Sequence, residues 1–161
     1  MRRVVTTEGH DGRSYILSDG AAATAEVGTM DLDLLWRNDA VPALPADTEV
    51  PTEVSFPPPG GVWVITWTIP AGTTGEDPDD IVASTGERPG FHSTESVDVN
   101  VVLSGEVVLE LDEGEVTLRA GDLVVVNGSR HAWQNRSSEP VRVLSTIVGG
   151  TRTPSSLTDE S

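Results

Sequence analysis

The chain contains no cysteine and no lysine. The first absence excludes a disulfide framework and any thiolate metal site, and it fits a reducing compartment. The second leaves arginine as the carrier of all ten positive charges, against 26 acidic residues and a formal net charge of −16. A surface of that sign repels phosphate backbones and anionic lipid, so neither nucleic acid nor a membrane is an expected partner. No window reaches the ~20 apolar residues of a membrane-spanning helix. The opening MRRVVTTEGHDGRSY has two arginines but no hydrophobic stretch behind them, so it does not read as a signal peptide. A cytoplasmic location is expected. No confident long helix is found either, and 161 residues are enough for one domain with its own core.

What the sequence has is alternation. Val4-Val5 and Tyr15 to Leu17 flank His10-Asp11-Gly12-Arg13, a hairpin signature that leaves His10 exposed in a turn. Met30, Leu32, Leu34 and Trp36 alternate with Asp31, Asp33 and Leu35, as in a strand with one buried face. The proline-rich stretch from 39 to 61 is expected to wrap across the outside of the fold. Val62 to Ile69 reads as a strand with Trp63, Ile65, Trp67 and Ile69 on one face, as core. Residues 71–90 (Glu76, Asp77, Asp79, Asp80, Glu87) read as a solvated acidic loop with no EF-hand order, a lid over the cavity mouth being the alternative. Val107 to Leu111, Val116 to Leu118, Leu123 to Val126 (a buried strand) and Val141 to Val148 complete a series of short strands, followed by a polar tail. The expected class is all-β, a sandwich or barrel: strands and wrap at 1–61, barrel at 62–148, flexible tail at 149–161.

The densest stretch is 90–135. His92, Thr94, Ser96, Asp98, Asn100 and Val102 are spaced two apart, and so are His131, Trp133 and Asn135. In strands each set shares a face, and the expectation is that the two rows face each other inside a small barrel. This stretch resembles the two motifs of the cupin superfamily. In the first, G-x5-H-x-H-x3/4-E-x6-G, His92 matches the first histidine, Thr94 stands for the second, Asp98 for the glutamate, and Gly105 closes the motif. In the second, Gly121, His131 and Asn135 match, and Asn127 replaces a proline. The resemblance implies a double-stranded β-helix (jelly-roll barrel) and, commonly, a homodimer.

A cupin site usually holds a divalent metal on three histidines and a glutamate. The resemblance therefore implies His92, Asp98 and His131 as a two-histidine, one-carboxylate set suited to Fe, Mn, Ni or Zn. Glu76 or Glu87 are candidates to replace the missing histidine. Without metal, His92 and His131 are acid–base candidates, with Asp98 to orient or charge-stabilise one of them. Thr94, Asn100, Trp133 and Asn135 are candidate substrate contacts, and Arg130 is expected outside in an ion pair. Ser104, Ser129 and Ser145 lack partners for a serine nucleophile. No organic cofactor is expected. The reading is a small enzyme acting on an oxygenated small molecule, a keto acid or polyketide-like compound, by lyase, isomerase, cyclase or decarboxylase chemistry. An Fe(II) dioxygenase and a non-catalytic ligand-binding protein are the alternatives.

Overall fold

The computed structural model describes residues 1–46, 51–73, 84, 86 and 88–153. Among them there are eleven strands and no helix, hence no helix long and apolar enough to cross a membrane. The strands are β1 (Arg2–Glu8), β2 (Ser14–Ala21), β3 (Ala23–Val27), β4 (Met30–Asn38), β5 (Val62–Ile69) and β6 (Ser96–Ser104). They continue with β7 (Glu106–Leu111), β8 (Glu115–Arg119), β9 (Leu123–Asn127), β10 (His131–Gln134) and β11 (Val141–Gly149). Six form one sheet in the order β3-β4-β5-β11-β6-β9, three form a second in the order β10-β7-β8, and β1-β2 is a separate ribbon. The all-β class is as expected.

The two larger sheets meet through their alternating apolar residues. Val102 of β6, Val107 and Leu109 of β7, Leu118 of β8 and Val143 of β11 belong to one buried cluster. A second cluster joins Leu32 and Leu34 of β4, Trp63 and Ile65 of β5 and Ile147 of β11. Burying each such side chain contributes roughly 1.5–3 kcal/mol, so these rows set which face of each strand turns inward. Register then aligns chemistry across the large sheet. Ile65, Ser145 and Asn100 lie in one cross-strand row, and Trp63, Ile147 and Asp98 in the next.

Four local expectations are corrected. Trp36 does not share the face of Leu32 and Leu34, because the register of β4 on β5 shifts between Leu34 and Trp36. One extra residue inverts the parity of everything after it, and Trp36 turns to a groove shared with Thr6, Pro42 and Leu44. β9 is not a buried strand. It is an edge, with Leu123 and Val125 more than half exposed and Val126 buried. The proline-rich stretch does more than wrap the outside. Phe56 packs edge-on to Trp63 at 6.2 Å between ring centroids, so the strap plugs one end of the second cluster. The polar tail begins in a clamp. Gly149 N–H donates to Gly61 O (3.0 Å), Gly60 N–H donates to Gly149 O (2.9 Å), and a Cβ at Gly149 would overlap the Pro58 carbonyl. β3 had no counterpart in the sequence reading.

Two motif glycines have physical reasons. Gly105 joins β6 to β7 at φ +80°, and a Cβ there would lie 2.9 Å from Pro140 O. Gly121 turns β8 into β9 at φ +94°. Both conformations are strained for any residue with a Cβ. His10 is exposed in the β1–β2 turn, as expected.

Candidate functional site

His92 and His131 are neighbours rather than opposed. Each backbone N–H donates to the other's carbonyl at 2.9 Å, an isolated bridge that adds the Gly90–His92 segment to the β10 edge of the small sheet. The ring centroids are 4.6 Å apart. The two rings are also held alike. His92 Nδ1 lies 3.0 Å from Gly90 O, and His131 Nδ1 lies 2.8 Å from Ser129 O. A carbonyl only accepts, so Nδ1 carries the proton in both rings and Nε2 is the nitrogen left for a ligand.

The expectation that His92 and Asp98 share one strand face fails here. After His92 the chain leaves the small sheet, and β6 begins only at Ser96, in the large sheet. Asp98 therefore reaches the same cavity from the facing sheet. Ser96 Oγ donates to its Oδ1 at 2.6 Å and lies 2.8 Å from Thr94 Oγ1. Burial pushes the Asp98 carboxyl above the usual aspartate range, although Ser96 and the charge of His92 pull the other way. Burial also lowers His131 to about 4, against the backbone bond to Ser129 and with the charge of His92 adding to the fall. His131 is thus neutral at physiological pH.

The cavity between the sheets holds about 130 Å³. Its lining includes His92 and His131 from the small sheet and Asp98 and Asn100 from the large one, and its walls are largely aromatic and aliphatic. Trp133 meets Trp67 edge-to-face (5.4 Å) and His131 likewise (6.0 Å), so it is a wall of the site. A relay missed in the sequence supports that wall. Trp67 Nε1–H donates to Ser145 Oγ (2.6 Å), which donates to Asn100 Oδ1 (2.5 Å). Ser145 has its proton and a lone pair engaged, which agrees with excluding it as a nucleophile. The available signal was a serine in the inward row Val141, Val143, Ser145, Ile147, where apolar residues were due.

Two other candidates are placed elsewhere. Asn135 does not line the cavity: its amide donates to Ile69 O, Pro70 O and Glu139 O at 2.8–3.1 Å, and its Oδ1 accepts from Ser137. It ties the end of β5 to two loop carbonyls at zero exposure. Asn135→Ala is expected to cost about 2–3 kcal/mol of stability, read by urea unfolding, by stranding those buried carbonyls. Thr94 is buried against Ser96 and also lies outside the cavity lining. Arg130 pairs with Asp112, as expected, and lies beside the Phe91 ring.

The metal set also changes. Among the described residues no three His, Asp or Glu side chains are grouped so as to hold a metal ion. His92 and His131 offer two Nε2 atoms with their Nδ1–H groups fixed on carbonyls, the arrangement of a metal-binding histidine. Asp98, on the facing sheet, does not complete them. Glu76 and Glu87, with Asp77, Asp79 and Asp80, lie outside the described residues.

A domain with these features has known relatives. Residues 81–147 match the family model of the cupin domain (Cupin_2). Over those residues the chain is similar to a cupin domain, and it has the all-β cupin fold. The cupin domain of Schizosaccharomyces pombe Cnp3 superposes with a TM-score of 0.53 over 92% of this chain and 87% of that one, at 10% identity, which speaks to fold alone. In sequence the chain is similar to phomopsin biosynthesis cluster protein C′ of Diaporthe leptostromiformis, 38% identical over 81 residues, 39% of this chain and 43% of that protein. It is also similar to oryzines biosynthesis cluster protein J of Aspergillus oryzae, 43% identical over 53 residues, 32% of this chain and 30% of that one. The chain thus spans less than half the length of these relatives.

Proposed function

We propose that the protein is a small biosynthetic cupin enzyme that performs enol chemistry on an oxygenated molecule held between the two sheets. The observation that carries this is the arrangement of His92 and His131 against a buried Asp98 across one largely apolar cavity. The names of the relatives, two biosynthesis cluster proteins, support the setting. His92, the less buried of the two rings, takes a proton from carbon next to a carbonyl through Nε2. The C–H electron pair moves into the enol, and the carbonyl oxygen receives a proton from Asp98, whose raised pKa favours the acid form. His131, neutral, accepts a hydrogen bond from a substrate hydroxyl. Return of the proton to another carbon gives isomerisation, and loss of a leaving group gives a lyase reaction.

The test is exchange of α-protons into D2O, followed by NMR over a panel of ketones and keto acids, with and without a chelator. Exchange that survives chelation is expected. Exchange that is lost on chelation and restored by a divalent ion would overturn the acid–base assignment in favour of a metal on His92 and His131. No exchange with any compound, together with tight binding, would make the domain a ligand carrier.

The homodimer is part of the same proposal. Val97 and Leu103 of β6 and Leu123 and Val125 of β9 stand exposed on the outer face of the large sheet, beside its free β9 edge. Aliphatic side chains next to an open edge favour a second copy as cover. Light scattering is expected to give twice the chain mass, and Leu123→Asp to give the monomer. A wild-type monomer at assay concentration would remove the dimer.

A further inference from the structure

The cavity has no arginine or lysine to offer. All ten cationic side chains are arginines, all lie among the described residues, and none lines the cavity. The stretches outside the description contain neither arginine nor lysine, so they do not supply one. Arg88 and Arg130, the nearest in sequence to the two histidines, are spent on Glu110 and Asp112 and on the Phe91 ring. Among the described residues the one carboxyl inside is Asp98. A carboxylate ligand would enter a largely apolar space without an arginine or lysine to pair with, which is unfavourable.

The polar atoms that are available are of a definite kind. With Nδ1–H fixed on Ser129 O, His131 offers Nε2, which suits a hydroxyl donor when the ring is neutral. The Trp63 ring also lines the cavity beside Phe56, is fully buried, and has an indole Nε1–H without a partner among the described residues. Buried N–H groups are seldom left unpaired, and one on a cavity-lining ring is an unused donor. The volume suits a single aromatic ring: a dry cavity of about 150 Å³ holds benzene.

We infer that the substrate is an uncharged hydroxylated aromatic or enone, its hydroxyl on His131 and a neutral acceptor oxygen on Trp63, and that carboxylates are excluded. This rests on the functional reading above and narrows it, removing keto acids. Calorimetry with two probes of nearly equal shape tests it near neutral pH. 4-Hydroxyacetophenone is expected to bind about 100-fold more tightly than 4-hydroxybenzoate. Trp63→Phe keeps a ring and removes the donor. It is expected to weaken 4-hydroxyacetophenone about fivefold and to leave 4-ethylphenol, which has no acceptor, unchanged, which also shows that the cavity is intact. Carboxylate binding as tight as ketone binding would overturn the charge selection while leaving the enol reading standing. Equal losses for 4-hydroxyacetophenone and 4-ethylphenol would overturn the role of Trp63. If no probe binds and no ketone exchanges its protons, the functional reading falls with the inference.

Discussion

His92→Gln is expected to lower α-proton exchange by about 10²–10⁴-fold, the usual worth of a positioned acid–base group, while leaving substrate affinity within about twofold. His131→Gln should show the opposite division, raising KM more than it lowers kcat. The difference follows from burial and pairing. The two rings are 4.6 Å apart, and the charge of one opposes protonation of the other. His131, only 2% exposed and lowered to about 4, is held neutral. On the proposed reading it therefore binds a hydroxyl through a fixed lone pair rather than carrying a proton. On that reading His92, nearer solvent, is left to move the proton. Because the bridge and the shared cavity couple the two residues, the double variant should lose less than the product of the single losses. The measurement is a KM-against-kcat split from NMR exchange rates on the most reactive ketone. Equal effects of both variants on kcat alone would make the rings interchangeable and sink the division of roles.

Much of this arrangement was legible because period-two alternation reports the inward face directly. His131, Trp133, Asp98 and Asn100 were found that way, and each lines the cavity. What alternation does not report is where a strand starts. His92 and Asp98 lie six apart in an unbroken row, and only the structure shows that the row crosses from one sheet to the other before Ser96. The same limit explains Trp36, where a bulge inverts the parity without any glycine or proline to mark it. It also explains Asn135, which keeps the parity of His131 but lies one residue past the end of β10, where its amide has loop carbonyls to satisfy. Leu123 and Val125 mislead for another reason: an apolar run reads the same in a central strand as in an edge strand whose outer face is exposed. The resemblance to cupin motifs carried the fold. The ligand set it implies is not grouped among the described residues, because motif spacing places residue types in sequence and does not by itself make three side chains converge.

The second large effect concerns acid stability. A histidine whose folded pKa lies near 4, against about 6.5 unfolded, binds fewer protons in the native state throughout that interval. The stability associated with its neutral form is complete above the unfolded pKa and is lost as pH falls through the folded one. The shift corresponds to about 3 kcal/mol between pH 7 and pH 4, a large part of the stability of a domain this size. Asp98 works in the opposite direction. Its raised pKa stabilises the fold below the unfolded aspartate value, and that contribution fades as pH rises through the folded value. The wild-type slope is thus the difference of two terms, and a variant is needed to separate them. His131→Gln does not titrate. Its urea unfolding free energy should change by about 3 kcal/mol less than the wild type between the two pH values, even where the substitution costs stability at pH 7. The groups that face the ring are His92 beside it and Asp98 on the opposite sheet, so His92→Gln should weaken the acid loss and shift its midpoint upward without removing it. Parallel curves for wild type and His131→Gln would show that His131 does not enter the fold neutral and unpaired with solvent, and the fixed-acceptor role assigned to it would go with that.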